Sequence, residues 1–278
     1  MALTPEQIKG KIKSLALKNE TDPRILLRLY AMERFLERLS ISKYKENFIL
    51  KGGMLVTAMI GISLRSTMDI DTSIRNQNLS ASDVKLIIEE INKINIDDDI
   101  IFHITAISDI MDEMEYPGIR VTMIATIGNM SIPLKIDIST GDAITPKAIE
   151  YQYKLILENR SINLYSYNLE TVLAEKLQTI LARGLLNTRM RDFYDVYMLL
   201  KLYKNSIDFS ILQQAFAATC RKRNTLNILI NYQQTISTIK KDTNMQRLWN
   251  KYCKKYSYAA NIHYDHIIDS INYLVSKL

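Results

Sequence analysis

The sequence predicts an α+β fold, a small mixed β-sheet with flanking helices followed by a C-terminal all-helical domain. Three observations predict it. Short alternating apolar–polar runs recur up to about residue 140, and helical spacing governs the chain from Asn168 onward. The length of 278 residues suits two modest domains and leaves ample sequence for a buried core. The boundary falls between 140 and 165, giving a domain over 1–160 with N-terminal helices and a helical one over 161–278.

Taken in order, the first strong signal is a helix. Asp22 caps it, Pro23 fits its first position, and Ile25, Leu26, Leu29, Met32, Leu36 and Leu39 recur at helical spacing. A short strand, Phe48 to Leu50, runs into Gly52-Gly53 and a small helix from Met54 to about Ile60. Thr67 to Ile74 alternates strictly, with Asp69, Asp71 and Ser73 on one face and Met68, Ile70, Thr72 and Ile74 on the other. A helix capped by Ser80 or Ser82 precedes strands near 100–107, 119–127 and 132–139. The last places Lys135, Asp137 and Ser139 opposite Leu134, Ile136 and Ile138. Asn168 then caps a helix ending at Gly184, and another runs from about Thr188 to Tyr203.

Composition narrows the class. With 47% hydrophobic and 24% charged residues the chain is neither disordered nor fibrous. No apolar run approaches the roughly 20 residues of a membrane span, and the N-terminus lacks a signal-peptide core. Two cysteines, Cys220 and Cys253, make no disulfide framework, so a cytoplasmic location is expected. The net charge of +6 is unevenly spread: residues 201–278 carry 12 Lys and Arg against four Asp and Glu. Such a basic module suits a polyanion such as RNA, and equally suits a solvated face.

The chemistry centres on carboxylates. Asp69 and Asp71 leave the same face of one strand, and Asp137 points to the polar face of another. Should the two strands be neighbours, three carboxylates converge, and such a group repels itself unless cations compensate. Mg²⁺ (or Mn²⁺) asks for one or two carboxylates, with water and substrate phosphates completing its shell. Two ions could be flanked by the pair, with Asp137 completing the second site and serving as base toward a hydroxyl. Lys51-Gly52-Gly53 opens a helix, where glycines and free N–H groups let a phosphate approach. No P-loop pattern occurs.

The stretch KGGMLVTAMIGISLRSTMDIDTSIRN resembles the first motif of the polymerase-β-type minimal nucleotidyltransferases, and its KGG with R-x-T-x-D-I-D resembles the AbiEii/AbiGii toxin family. AEKLQTILARG and RMRDFYDVYMLL are similar to later motifs of that family. Gly53 departs from the pattern, standing where many members carry Ser. The resemblance implies a nucleotidyltransferase toxin with an active site in a cleft between the domains. Asp69, Asp71 and Asp137 would bind metal, Lys176 would reach the triphosphate, and Asp192, with Asp195, would complete the site. Arg65 and Thr67 would support the loop or the nucleotide. It also implies a cognate antitoxin and an acceptor hydroxyl on transfer RNA or similar RNA. A small-molecule or protein hydroxyl, or a binding module without catalysis, are the alternatives.

Other residues read as ordinary. On a helical wheel Asp192 borders the buried stripe and Asp195 lies 60° further out, with Arg189 and Arg191 as salt-bridge partners. His263 and His266 have helical i, i+3 spacing without a third ligand, and His103 reads as packing within a strand. Tyr232, Tyr252, Tyr256 and Tyr258 read as core more than as base-stacking surface.

Overall fold

The computed structural model describes residues 3–75, 80–110 and 118–278. Within them the chain divides into two units, Met1–Gly141 with Ile149–Ser166, and Asp142–Ala148 with Tyr167–Leu278. The fold is the mixed α+β one that the sequence predicts.

The first unit is built on a seven-stranded sheet of order β3-β4-β5-β2-β1-β7-β6. Its strands are β1 (Phe48–Lys51), β2 (Ile70–Ile74), β3 (Ile101–Ile110), β4 (Gly118–Ile127), β5 (Met130–Thr140), β6 (Ile149–Lys154) and β7 (Ser161–Ser166). β2 runs parallel to β5 and β1 parallel to β7, while the remaining neighbours are antiparallel. The ladder of β2 begins at Ile70, so Asp69 lies in the bend before it, outside the alternating run assigned to it from the sequence. The β6–β7 hairpin falls in the segment that sequence reading treats as a boundary.

Four helices belong to this unit: α2 (Pro23–Ile41), α3 (Gly52–Ile60) and α4 (Ala81–Asn92), which pack on the sheet, and α1 (Pro5–Lys18), which packs on α2. α1, which precedes the first helix expected, has a capping box in which Thr4 and Gln7 satisfy each other's backbone N–H groups. Asp22 caps α2 by accepting from Arg24 N–H at 2.8 Å, and Pro23 occupies the first turn. Leu26, Leu29, Met32, Phe35, Leu36 and Leu39 of α2 are all buried. Each contributes about 1.5–3 kcal/mol by leaving water. The same helix buries Glu33, whose two carboxylate oxygens accept from Ile156 N–H at 3.2 and 3.1 Å. Burial pushes its carboxyl up to about 8, against the Ile156 N–H and the Arg34 charge.

The second unit is helical: α5 (Leu169–Arg183), α6 (Met190–Tyr203), α7 (Phe209–Lys222), α8 (Ile228–Lys241), α9 (Thr243–Lys255) and α10 (Tyr264–Val275). Asn168 caps α5 through Thr171 N–H at 2.9 Å, and Gly184 ends it with a φ of 49°. α6 packs against α5, α9 and α10. Among the described residues no helix is long and apolar enough to cross a membrane.

Candidate active site

The polar face of the sheet carries a row of charge. Register aligns Lys51 on β1 with Asp71 on β2, Asp71 with Asp137 on β5, and Asp137 with Arg120 on β4. The order across four strands is therefore cation, carboxylate, carboxylate, cation. The two carboxylates are direct neighbours across the parallel β2–β5 pair. Arg120 grips Asp137 with both arms, Nε to Oδ1 at 2.7 Å and Nη2 to Oδ2 at 2.6 Å. Sequence reading missed Arg120, because only the antiparallel register of β4 and β5 reveals its partner.

Asp71 is held from the other side. Gly53 N–H donates to its Oδ2 at 2.9 Å. Its carboxyl lies above its ordinary value, chiefly through burial and further through the charges of Asp137 and Asp69, while Gly53 N–H and Lys51 pull the other way. The Gly-Gly turn is shaped around this carboxylate. Gly52 has a φ of 60°, and a Cβ there would run into the Asp71 side chain. A Cβ on Gly53 would meet the Thr67 hydroxyl and come within 3.3 Å of Arg65 Nη1. Arg65 is 2% exposed and donates to Gly53 O at 2.7 Å and Thr57 Oγ1 at 2.9 Å. Thr67 is also buried. Of the two roles left open for this pair, the geometry favours bracing the turn.

Do these residues fit a divalent ion? Two carboxylates side by side, one at a helix start where phosphate is favoured, match the one or two that Mg²⁺ takes from protein in phosphoryl-transfer sites. Asp71 feels the charges of both Asp137 and Asp69, while among the described residues no group of three or more His, Cys, Asp or Glu is arranged to hold a metal. Asp137 is engaged by Arg120 and Asp71 by Gly53, while Asp69 stands ahead of the strand.

The helical unit holds a second charged cluster. Lys176 on α5 reaches Asp195 Oδ2 at 2.7 Å and Asp192 Oδ1 at 3.0 Å, both on α6, and Arg189 Nε lies 2.9 Å from Asp192 Oδ2. Asp195 is fully buried and Asp192 4% exposed. The wheel's outward position for Asp195 is thus corrected, because α6 is covered by three helices and has no solvent face there. Its partner is Lys176 from the preceding helix, and Arg191 instead donates to Tyr256 Oη at 3.3 Å.

The remaining expectations fare differently from one another. Arg223, counted within the basic tail, has a side chain only 8% exposed and donates to Gln178 Oε1 at 2.6 Å and Thr179 Oγ1 at 3.1 Å. Tyr252 is buried within a ring cluster, stacked on Trp249 at 5.5 Å and tilted against Tyr256 at 4.7 Å, as core aromatics do. His263 and His266 rings lie 5.7 Å apart. His103 is exposed on the edge strand β3, not packed.

A mixed sheet with paired acids on its central strands beside a glycine turn and a helix start defines a nucleotidyltransferase-type chain. Residues 34–270 match the family described as nucleotidyl transferase AbiEii toxin, type IV TA system, and the chain belongs to that family. It is therefore a nucleotidyltransferase, a toxin of a toxin–antitoxin pair with a nucleoside triphosphate substrate and an antitoxin partner. Enzymes of this kind generally use divalent metals. The structure is similar to JHP933 from Helicobacter pylori, with 15% identity, a TM-score of 0.50, and coverage of 92% of this chain and 94% of that one. A second H. pylori structure, assigned as a nucleotidyltransferase, matches with 15% identity, a TM-score of 0.50, and coverage of 92% and 97%. These likenesses concern the fold. No curated protein matches the chain.

Proposed function

We propose that this toxin transfers a nucleotidyl group from a nucleoside triphosphate to a hydroxyl of an RNA acceptor, with tRNA the first candidate, using Mg²⁺ or Mn²⁺. It would act in the cytoplasm, as the toxin of an abortive-infection defence. The observation that carries the reading is the direct pairing of Asp71 with Asp137 beside the Gly52–Gly53 turn. Asp71 and Asp137 are the residues to hold a divalent ion, with Asp69 as a further ligand. When bound, the ion neutralises charge on the polyphosphate and its leaving group. The helix start at Gly52 and Gly53 favours phosphate, and Lys51, aligned with Asp71, adds positive charge. The acceptor oxygen bonds to the α-phosphorus, the bond to the bridging oxygen of pyrophosphate breaks, and the hydroxyl proton passes to Asp137 or water.

The acceptor is supported by the exposed basic residues of the helical unit, among them Arg221, Lys222, Lys254 and Lys255. Incubating the protein with radiolabelled triphosphates, Mg²⁺ and total RNA tests the reading. Label should appear in an RNA band and depend on Asp71. Label only on a protein or a small molecule would move the acceptor to those classes. No transfer to any acceptor would favour a binding module.

A further inference from the structure

The buried arginines of the sheet unit show how this chain builds a structural guanidinium. Arg65 is 2% exposed and bonds two backbone carbonyls. Arg38, with a side chain 4% exposed, grips Asp98 and also donates to Arg34 O and Ile100 O at 3.1 Å. Arg120 is different. Its side chain is 40% exposed, Asp137 is 22% exposed, and its two bonds to Asp137 occupy both carboxylate oxygens. A guanidinium that open to water can leave its partner without a large desolvation cost. Its planar fork matches phosphate oxygens as well as it matches a carboxylate.

We propose that Arg120 neutralises Asp137 while no divalent ion is bound, and yields Asp137 to the ion as its guanidinium turns to the polyphosphate. The inference rests on the metal-binding reading of Asp71 and Asp137 given above. It accounts for two side-by-side carboxylates that survive together on a sheet: one is held by a backbone N–H and the other by a removable cation. The guanidinium and the ion compete for the same two oxygens, so Arg120 sets how tightly the empty protein takes up metal.

Mn²⁺ binding to nucleotide-free protein, read by electron paramagnetic resonance of the free ion, tests this independently of turnover. Arg120→Gln should bind Mn²⁺ about three- to tenfold more tightly, the span expected for freeing one partly exposed ion pair. The gain should vanish in an Asp137→Asn background, because the two residues act through one contact. Arg120→Lys, which keeps charge but loses the fork, should fall between. The KM for triphosphate should rise in Arg120→Gln by more than kcat falls. Circular dichroism melts identify any variant that fails to fold, in which case Arg120→Lys carries the test. Mn²⁺ affinity that depends on Asp71 but is unchanged or weaker in both Arg120 variants overturns the inference alone. Mn²⁺ binding that is indifferent to Asp71→Asn overturns the metal reading beneath it.

Discussion

On the sheet, Asp71 is held by a backbone N–H and Asp137 by a guanidinium whose side chain is 40% exposed. Among the helices, Asp192 and Asp195 share one ammonium whose side chain is 11% exposed. Both clusters pair two acids, yet the first is built from contacts that can be exchanged and the second from contacts that cannot be given up cheaply. When an exposed ion pair opens, water takes the partner's place. A buried one that loses its partner leaves an uncompensated charge. The difference is between acids held by an exposed pair and acids whose pairing ties two helices together.

The sharpest way to break this comparison is at Asp71. Asp71→Asn should lower transfer by about 10²–10³-fold, the range seen when one preorganised electrostatic group is removed. The melting temperature should stay level or rise, since the change relieves repulsion with Asp137 and Asp69. A variant that transfers normally at saturating Mg²⁺ would remove the sheet cluster from the reaction.

Lys176→Ala should do the opposite to stability. It removes the ammonium shared by two buried carboxylates, of which Asp192 keeps Arg189, at a cost of about 3–5 kcal/mol. The melting temperature should therefore fall, a consequence that the picture of an exposed triphosphate-binding lysine does not contain. Adding Asp192→Asn and Asp195→Asn should restore much of it. If the triple variant is as stable as wild type but binds triphosphate poorly, Lys176 serves both purposes. An unchanged melting temperature in Lys176→Ala would erase the contrast between the two clusters.

Glu33 sharpens the comparison from a third side, as a buried acid neutralised by a proton. Its carboxyl is raised from 4.5 to about 8, so the folded state binds more protons than the unfolded one between those values. Its stabilising contribution is complete below about pH 4.5 and is lost as pH rises through about 8. Thermal melts between pH 5 and 9 should show wild type losing stability relative to Glu33→Gln as pH rises. Parallel curves would mean that Glu33 does not titrate as its burial demands.

The smallest effect concerns the basic surface. Neutralising Arg221 and Lys222, or Lys254 and Lys255, should lower RNA affinity and flatten its salt dependence, by about one unit in the log–log slope for each phosphate no longer neutralised. Arg223 belongs to the interior, so Arg223→Gln should cost stability more than it changes that slope. An RNA affinity without salt dependence would favour a small-molecule acceptor.

Local signals in the sequence carried far. The Asn168 cap and Gly184 stop of α5 are properties of a few neighbouring residues, and the alternation around Asp71 and Asp137 needs no distant partner. What escaped depends on pairing across the chain. Arg120 becomes visible only through the β4–β5 register, and the partner of Lys176 only through the packing of α5 on α6. A wheel drawn for α6 assumes one solvent face, and that face does not exist at Asp195. The β6–β7 hairpin has mostly exposed residues on β6, which weakens the alternation that marks a strand.

The turn at Gly53 has a last consequence, for how such a sequence can drift. The space that a side chain at 53 would need is taken by the Thr67 hydroxyl, with the Arg65 guanidinium beside it. The two positions are therefore tied as a volume shared by one small group. A side chain at 53 requires the Thr67 hydroxyl to turn away or a smaller residue at 67. Glycine at 53 thus reflects a neighbour fourteen residues away, and a change at one position calls for an adjustment at the other.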